Sequence, residues 1–564
     1  MQRNLEQLAD RRYDLLVIGG GIHGACIAWD AALRGLSVAL VEKSDFGHAT
    51  SANTLKIIHG GLRYLQDANL RLVRIMVGER ATWMRIAPHL VHPMPCLMPT
   101  YNKLGRSKGV MAAALTLNDA ISYDRNRLMD PQKRLANGRI VSRSECLHLL
   151  PGLAADGVTG GALWHDGQMY NSERLLLSLV LSASQAGAEV ANYVEVTGFL
   201  RDDVGVRGVT ARDAMTQQEL EIQAELVVNS AGPWVNSVLS PLGVAVSPTF
   251  VSSIALNLIT RQIHPTHAVA FPSRYTVRGK DGTLTQRSRL LFAVPWRSCS
   301  LIGTSHFPYE GPPGDYQVSE EVIEGFLTEI NTAYPGAALT RQDVYHVQWG
   351  FLPAAQTDFQ TNAVKLVRQA QVYDHEKGDG GHGLISVVGV KYTTARHVAQ
   401  EVVDMALVKL GRDPSRCRTQ ATPVYGGRID GIQGFLAEAV SQRPPGMSPE
   451  TAQNLAYSYG AEYPRILEYL NEEPAWGMPV SPASTVIEAE VVHAVREEMA
   501  QKLADVVQRR TELGAAGLPH EASLRTCADL MAAELDWDKT RVRKELDELR
   551  AAFAAAPRAM SVGG

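Results

Sequence analysis

The 564-residue chain has few of the features that mark secreted, membrane-spanning or nucleic-acid-binding proteins. Its six cysteines are far apart and none forms a Cys-x-x-Cys pair, which argues against a disulfide framework or a zinc site and fits a reducing compartment. No apolar run reaches the ~18 residues that a membrane-spanning helix needs. The net charge of −4 provides no basic field for nucleic acid. The first twelve residues are polar and charged, so we expect no signal peptide.

What is present is the composition of an ordinary soluble protein. Hydrophobic residues make up 45% of the chain and charged residues 20%. The length exceeds what one hydrophobic core supports, so we expect two or three domains. These features together predict a cytoplasmic globular protein without a metal site.

The most informative stretch runs from Asp14 to Glu42 and contains an apolar strand, a glycine turn, a helix and a second strand. Its turn has the spacing G-x-G-x-x-G, formed by Gly19, Gly21 and Gly24. The first glycine permits a tight turn, the second lets a pyrophosphate approach the backbone, and the third lets helix and strand pack closely. The helix N-terminus then faces the phosphates. Glu42, at the end of the second strand, is placed to bind a ribose. The pattern predicts a dinucleotide site.

Two later segments favour FAD over NAD as the dinucleotide. Leu226 to Trp234 reads as a buried strand followed by a small-residue turn. Leu384 to Arg396 reads as a strand that passes through Gly389 into a helix, whose N-terminus could face a flavin. Three strand-glycine-helix units in so long a chain indicate one nucleotide domain interrupted by insertions.

The predicted fold class is α/β: a discontinuous Rossmann-like FAD-binding domain with an antiparallel β-sheet cap, which binds substrate, and a C-terminal α-helical domain. Short alternating apolar runs such as Arg289 to Trp296 predict the cap strands. Helical spacing from Glu488 to Leu513 and from Lys539 to Ala556 predicts the last domain, which we expect to support dimerisation or partner docking. The predicted limits are 1–90, 155–247 and 350–405 for the FAD-binding domain, 91–154 and 248–349 for the cap, and 406–564 for the helical domain.

One apolar stretch, Gly109 to Leu117, is flanked by Arg106 and Lys108. It is too short to cross a membrane. It predicts either a buried helix or a surface that dips into a membrane interface, here the inner membrane.

Several motifs resemble those of FAD-dependent glycerol-3-phosphate dehydrogenases and oxidases. The segment His59-Gly-Gly-Leu-Arg-Tyr-Leu65, preceded by Thr50-Ser51 and Lys56, is similar to that family's signature. So are Ala231 to Val235, Ile302 to Thr304 and Tyr309 to Gly311. The C-terminal run Glu490 to Ala500, followed by Leu503-Ala-Asp505 and Arg509-Arg-Thr511, is similar to the family's accessory domain.

The resemblance implies a non-covalently bound FAD that takes a hydride from a secondary alcohol carbon of glycerol 3-phosphate or a related polyol phosphate or hydroxy acid. It implies that electrons then pass to quinone or oxygen. It also implies that Arg63, Tyr64, Arg368 and Lys391 bind the substrate, and that Arg63, Tyr64 and Lys391 take part in catalysis. Lys391 would hold a substrate oxygen or stabilise negative charge near the flavin.

The glycine motifs and the resemblance together predict the residues that bind the cofactor. They are Gly19, Gly21, Ile22, His23, Gly24, Glu42, Lys43, Thr50, Ser51, Lys56, His59, Gly60, Gly61, Ala231, Gly232, Trp234, Gly389, Lys391, Tyr392 and Thr393.

Three segments depart from the family's pattern. Leu352 stands where the family carries an arginine that faces the substrate. The segment Val251 to Asn257 has neither the lysine nor the histidine expected there, and Gly303-Thr-Ser-His306 replaces Gly-Thr-Thr-Asp. Losing an arginine and a histidine removes charge-assisted contacts to an anion. We therefore expect weak turnover of glycerol 3-phosphate.

Oxidation of an alcohol by hydride transfer also needs a base for the hydroxyl proton, and histidine suits that role near neutral pH. Of the 16 histidines, His306 is our candidate base, ahead of His346, while His59 is expected to pack near the cofactor. Two other functions stay open on the sequence: an amine or amino-acid oxidase of the same superfamily, and an FAD-binding scaffold without activity.

Overall fold

A computed structural model describes residues 1–103, 105–127, 130–244, 251–278, 284–314, 316–359, 363–377 and 381–554. Its strands are β1 Arg12–Ile18, β2 Val38–Val41, β3 Ile57–Ile58, β4 Val91–Tyr101, β5 Arg139–Val141, β6 Val158–Met169, β7 Glu189–Ala191, β8 Val194–Arg201, β9 Val206–Asp213, β10 Glu219–Asn229, β11 Val251–Arg261, β12 Ala268–Arg278, β13 Leu284–Trp296, β14 Cys299–Tyr309, β15 Val344–Asp358, β16 Ala363–Leu366, β17 Gln371–Asp374 and β18 Leu384–Val388.

The helices alternate with these strands in the first part of the chain and then follow one another without strands. They are α1 Leu5–Asp10, α2 Ile22–Leu33, α3 Leu70–Ile86, α4 Lys108–Ile121, α5 Arg143–Leu149, α6 Ser172–Gln185, α7 Val235–Leu239, α8 Glu320–Ala333, α9 Ala395–Lys409, α10 Ile432–Ser441, α11 Pro449–Tyr459, α12 Tyr463–Glu468, α13 Glu488–Arg496, α14 Leu503–Asp505, α15 Glu521–Leu535 and α16 Lys539–Ala554.

The nucleotide sheet has the strand order β17-β18-β10-β1-β2-β7, with the β8–β9 hairpin beside β10. Its central strands β18, β10, β1, β2 and β7 run parallel. They are buried on both faces because α2, α6 and α9 cover one side and the hairpin with α7 covers the other. This burial explains the continuous apolar runs, and parallel strands bring their carboxyl ends to one edge of the sheet.

The cap sheet has the strand order β16-β15-β11-β14-β13-β12-β4-β6-β3, with β5 beside β6. Its pairs are antiparallel except for β4 with β12. Helix α8 packs on one face through Ile323, Phe326 and Ile330. The predicted fold class, an FAD-type α/β fold with an antiparallel cap and a C-terminal helical domain, is confirmed by this architecture together with the comparisons given below.

The strands differ from the predicted domain limits at two long strands, β6 and β15, and at the short strands β3 and β16, which were also assigned to the nucleotide domain but pair with β6 and β15. Residues 158–169, assigned to the nucleotide domain, form β6, which pairs with β4 along its length in the cap sheet. Residues 350–358, also assigned there, belong to β15, in which 350–354 pair with β11 of the cap and 356–358 pair with β16. Pairing partners far away in sequence decide which sheet a strand joins, so strand pattern alone misplaced them. The limit expected between residues 247 and 248 lies outside the described residues.

The segment after α9 forms two further hydrophobic clusters, one around α10 and α11 and one around α13 to α16. The helical pattern expected from Glu488 to Leu513 is interrupted: after α13 the chain turns through α14 into a π-helical segment, Val506–Arg510.

In the part of the chain that the structure describes, we find no helix with the length and apolar character that crossing a bilayer requires. The same part contains no group of three or more acidic, histidine or cysteine side chains suited to hold a metal ion.

Candidate active site

One large cavity of about 1610 Å³ lies where the carboxyl edge of the nucleotide sheet meets the cap sheet. Its walls come from the loops after β1, β2, β10 and β18, from the cap strands β11 and β13 to β16, and from α4. Ligands of open α/β sheets bind at this edge. The cavity is large enough for a dinucleotide and a small substrate together.

The glycine turn forms one end of the cavity, and each of its glycines meets a different constraint. Gly19 has φ +100°, and a β-carbon there would lie 2.8 Å from the carbonyl oxygen of Ser230. A β-carbon on Gly24 would lie 1.9 Å from the carbonyl oxygen of Gly19, so this glycine serves the packing of α2 and does not line the cavity. A β-carbon on Gly21 would meet only Ser51 Oγ, at 3.3 Å, and would point into open cavity. The turn therefore leaves the space that a pyrophosphate needs beside the N-terminus of α2.

Glu42 lies beside this turn in the cavity wall and is nearly buried. Its Oε2 accepts from the amide of Gly20 at 2.7 Å and its Oε1 from the amide of Ser44 at 2.9 Å. A carboxylate can accept about four hydrogen bonds, so capacity for ribose hydroxyls remains. Nearby, Lys43 Nζ lies 3.7 Å from the ring centre of Trp234, and both residues line the cavity.

The middle of the cavity is formed by the N-terminus of α2 and the turn after β18. The imidazole of His23 lies against Gly389, where a β-carbon would come within 2.2 Å of the ring. Burial lowers the pKa of His23 to about 4, so the ring is neutral. Among the described residues, its buried Nε2 has no hydrogen-bond partner. An unpaired polar atom in a cavity wall is what a polar cofactor atom would satisfy.

Most of the predicted cofactor residues line this cavity. Besides those described above they are Ile22, Thr50, Ser51, His59, Gly61, Ala231, Gly232, Lys391, Tyr392 and Thr393. Some polar atoms among them are already engaged elsewhere, because the Tyr392 hydroxyl donates to the Ser172 carbonyl at 2.7 Å and Thr393 Oγ1 accepts from the His59 amide at 3.2 Å.

Three residues are corrections to the predicted cofactor set, since none of them lines the cavity: Gly24, described above, and also Lys56 and Gly60. Lys56 is buried, and its ammonium donates to Ser172 Oγ at 2.8 Å and to the Glu173 carboxylate at 2.8 Å, which fixes the start of α6. A β-carbon on Gly60 would lie 2.3 Å from the guanidinium of Arg80, so this glycine makes room for a buried arginine. Lys56 precedes the signature segment and Gly60 lies within it. Gly60 is connected to the cavity wall through its amide, which donates to Asp166 Oδ1 at 2.6 Å.

The substrate end of the cavity is organised around Tyr64. Lys391 Nζ lies 5.0 Å and the guanidinium carbon of Arg63 lies 5.4 Å from its ring centre. Lys391 Nζ also donates to the carbonyl of Arg368, whose own guanidinium is exposed and ion-paired with Asp67. Burial lowers the pKa of Lys391 to about 8, and the neighbouring charges of Arg63 and Arg368 act in the same direction. The structure thus brings the four predicted substrate residues together.

His306, the candidate base, also lies in this part of the wall. Its pKa is lowered to about 4, chiefly by burial and also by the charges of Arg289 and Arg63. Its buried Nδ1 has no hydrogen-bond partner within the described ranges. His346, by contrast, packs against Phe553 at 5.2 Å between ring centres and lies outside the cavity wall.

The cavity also contains residues that sequence reasoning did not select. Arg289 lines it from β13, with its Nε donating to Glu329 at 2.8 Å. Leu352 and Asn257, two positions at which the sequence departs from the family's pattern, both lie in the cavity wall. Asn257 Oδ1 accepts a hydrogen bond from the Thr304 hydroxyl at 2.9 Å. The only signal for Arg289 was a cation at the start of an apolar run within β13, and such cations are common on exposed strand faces.

Part of the cavity wall is apolar, and this part is called here the apolar arm; it contains Leu62, Met98, Met111 and Phe292, which share one hydrophobic cluster, and Leu117. Helix α4, which covers the stretch predicted from Gly109 to Leu117, forms one side of it. Val110 and Leu117 on this helix are 44% and 42% exposed, so the helix is not fully buried.

Comparisons with known proteins agree with this geometry. Residues 14–397 match the family model described as FAD dependent oxidoreductase, and residues 417–542 match the C-terminal domain of alpha-glycerophosphate oxidase. A glycerol-3-phosphate dehydrogenase of a Synechocystis species is 33% identical, over 91% of this chain and 90% of the relative. The aerobic glycerol-3-phosphate dehydrogenase of Staphylococcus haemolyticus is 28% identical, over 90% and 88%.

The solved structure of the Bacillus halodurans glycerol-3-phosphate dehydrogenase in complex with FAD is similar along nearly the whole chain. It covers 98% of both chains with a TM-score of 0.75 at 25% identity. The expected cofactor, FAD, is confirmed by these matches. The glycine turn, the open space at Gly21 and the unpaired His23 Nε2 fit that cofactor.

Proposed function

We propose a substrate and an electron acceptor from one premise: this chain belongs to the FAD-dependent oxidoreductases and, within them, to the glycerol-3-phosphate dehydrogenase family. The proposed reaction is oxidation of the secondary alcohol carbon of glycerol 3-phosphate or a related polyol phosphate. The observation that carries this proposal is the group of cations, Arg63, Arg368 and Lys391, around Tyr64 and next to His306 in one cavity.

In this proposal each side chain has a role that its position allows. FAD, when bound, accepts the hydride from the carbinol carbon. Arg63 and Lys391 bind the anionic end of the substrate, and charge-assisted hydrogen bonds of this kind are stronger than neutral ones. His306 is neutral at pH 7, and its unpaired Nδ1 accepts the hydroxyl proton.

The wall at Leu352 and Asn257 restricts the substrate. A buried phosphate needs several donors, and a leucine beside it leaves phosphate oxygens without partners. We therefore propose that glycerol 3-phosphate itself is a poor substrate, and that the preferred one is less anionic at that end, bulkier, or bound through Arg368 and Lys391 from another direction.

Leu352→Arg is expected to raise kcat/KM for glycerol 3-phosphate by about tenfold or more, because a charge-assisted hydrogen bond contributes about 1.5–3 kcal/mol. Steady-state kinetics on parent and variant test this, with Val408→Arg, on the exposed face of α9, as the control for an added arginine. A parent kcat/KM at or above about 10⁴ M⁻¹s⁻¹, typical of efficient enzymes, would contradict the proposed restriction.

His306→Gln is expected to lower kcat/KM by about tenfold, less than the about 10²–10⁴-fold typical of general bases, because a base of low pKa is weak. The basic form of His306 exists above its pKa of about 4, so the parent should lose activity as pH falls through that value. The variant should lack this acid limb. His397→Gln, a surface histidine beside Glu401, is the control. An identical pH profile in parent and H306Q would remove His306 from the mechanism.

Two other functions remain testable against this one. An amine or amino-acid oxidase would release ammonia with its product, and an inactive scaffold would not reduce its flavin with any substrate. The match of residues 417–542 to the alpha-glycerophosphate oxidase domain supports the first proposal over both. Anaerobic bleaching of the flavin by a panel of polyol phosphates, hydroxy acids and amino acids distinguishes the three.

For the electron acceptor we propose a quinone, with oxygen as the alternative outcome. A small polar substrate does not need the apolar arm of the cavity, whereas the apolar ring and tail of a quinone would fit it. The exposed Val110 and Leu117 at its outer side suit peripheral contact of a cytoplasmic protein with the inner membrane. Leu117→Glu should slow reoxidation of the reduced enzyme by a quinone in lipid vesicles several-fold, whereas Val204→Glu, an exposed control on the β8–β9 hairpin, should not. Reoxidation by oxygen alone, with no vesicle binding, would exclude the quinone.

A further inference from the structure

A buried ionic cluster joins the C-terminal helical domain to the loop after β2. Asp45 lies in that loop, fully buried, and receives hydrogen bonds from Arg509 Nε and from both Nη atoms of Arg510, with Arg510 Nη2 at 2.7 Å from Oδ1. Asn192 donates to Asp45 at 3.0 Å and, with the same amide group, to the carbonyl of Met499 at 2.9 Å. Two consecutive arginines of the π-helical segment therefore converge on one carboxylate of the nucleotide domain.

A second carboxylate completes the cluster from the C-terminal side. Asp505 accepts from Arg509 Nη2 at 2.7 Å and from the Tyr193 hydroxyl at 2.7 Å. Its other oxygen accepts from the amides of Gln501 and Lys502. The cluster of Asp45, Asn192, Tyr193, Asp505, Arg509 and Arg510, called here the Asp45 cluster, balances two carboxylates against two guanidinium groups.

The charges in the Asp45 cluster depend on each other. Burial acts to raise the pKa of Asp45, but Arg510 and Arg509 hold it below its ordinary value, and the carboxylate stays charged. Buried ion pairs contribute little net stability, yet removal of one partner leaves an uncompensated charge away from water. A docked position of the helical domain that keeps all four charged groups paired is therefore favoured over one that separates them.

The loop that carries Asp45 also forms the wall of the cavity around Glu42, the residue that the sequence predicts to bind the ribose of FAD. Three residues earlier, Glu42 lines the cavity and accepts from the amide of Gly20. Two residues later, the amide of Gly47 donates to the carbonyl of Gly20 at 3.1 Å. His48 follows in the cavity wall, with its ring 6.3 Å from that of Trp234. Asp45 is thus held between the helical domain and the glycine turn.

We propose that Arg509 and Arg510 are positioning residues for FAD, and that docking of the helical domain sets the loop from Glu42 to His48 in its cofactor-binding shape. Neither arginine lines the cavity, so both act through Asp45. Because coupling between two sites is reciprocal, bound FAD must also tighten the docking of the helical domain.

Arg509→Met is expected to raise the Kd of FAD for the apoprotein by about tenfold or more, within the about 5–150-fold span usual for coupled sites. Flavin fluorescence on titration of full-length apoprotein measures it. Thermal unfolding without FAD and at saturating FAD gives a second readout, since weakened coupling should shrink the increase in Tm that FAD produces. Arg509→Lys should fall between the parent and R509M.

Arg496→Met is the matched control, because Arg496 forms ion pairs with Glu534 and Glu472 on the outer side of the same domain. It should leave the Kd of FAD unchanged. If R509M does not fold, the Kd of FAD is measured instead for Asp45→Asn and R509K, which weaken the contact from the nucleotide domain and from the helical domain respectively.

The tighter docking of the helical domain expected when FAD binds is measured by the rate of trypsin cleavage in the exposed linker of residues 411–418. FAD should slow this cleavage in the parent and R496M but not in R509M. An equal fall in Tm with and without FAD, together with a parent-like Kd in R509M, R509K and D45N, would show a purely structural contact and overturn the proposal.

Discussion

Replacing Gly21 with valine is expected to give a folded protein that binds no FAD. Gly21 has an extended backbone, with φ −78° and ψ −177°, which a β-branched residue adopts without strain. A β-carbon there meets only Ser51 Oγ, so the rest of the protein tolerates it. The two methyl groups would, however, occupy the space beside the N-terminus of α2 where the pyrophosphate must approach.

Absorbance of the purified protein in the flavin region, and titration of the apoprotein with FAD, measure the effect. Circular dichroism should show parent-like secondary structure. Gly78→Ala in α3 is the control, since its added β-carbon meets nothing within 4 Å and should leave the protein yellow. A G21V protein with full FAD occupancy would contradict the assignment of this turn. The same test on Gly24 would be uninformative, because a β-carbon there collides with the backbone of Gly19.

Lys391→Met is expected to keep FAD but to slow reduction of the flavin by substrate about 100-fold or more, the scale of losing one preorganised electrostatic donor. Lys391 lies in the turn after β18, and its side chain lines the substrate end of the cavity beside Tyr64 and Arg63. Arg368 cannot take over this role with its guanidinium as placed, since that group is exposed and paired with Asp67.

Anaerobic stopped-flow measurement of flavin bleaching tests this role, with Lys544→Met on the exposed face of α16 as control. A lowered pKa means that the cation is present below about pH 8 and is lost as pH rises through that value. The parent should therefore lose kcat/KM above about pH 8. Lys391→Arg, whose guanidinium stays charged, should move this alkaline limb to higher pH. An unchanged reduction rate in K391M would reject the role.

Some of the residues in these predictions can be identified from the sequence alone, and others cannot. The glycine turn from Gly19 to Gly24 and the strands on either side follow from local rules, because a tight turn, a close phosphate and a packed helix each need a glycine at a set spacing. The helix after Gly389 is local in the same way and begins at Ala395, one residue after Thr394.

The signature segment shows where motif reasoning stops. Lys56, His59, Gly60, Arg63 and Tyr64 were predicted from one resemblance, yet Lys56 and Gly60 do not line the cavity while the other three do. A motif states that residues occur together, and it does not state which of them bind a ligand and which support the fold. Only the partners, Glu173 and Arg80, distinguish the two groups.

Local pattern in the chain was sufficient for the dinucleotide turn, the three strand-glycine-helix units and the helical character of the C-terminal part, since each depends on neighbours within a few positions. Contacts between distant segments were needed for the rest. His306 lies close enough to Arg289 and Arg63 for their charges to lower its pKa only because distant segments of the chain meet at the cavity, and Asp45 contacts Arg510 across more than four hundred residues. Such pairings produce no periodic pattern in the sequence, because each partner is a single polar residue. Their roles can be assigned only once the folded structure shows which polar groups are buried together and must therefore pair.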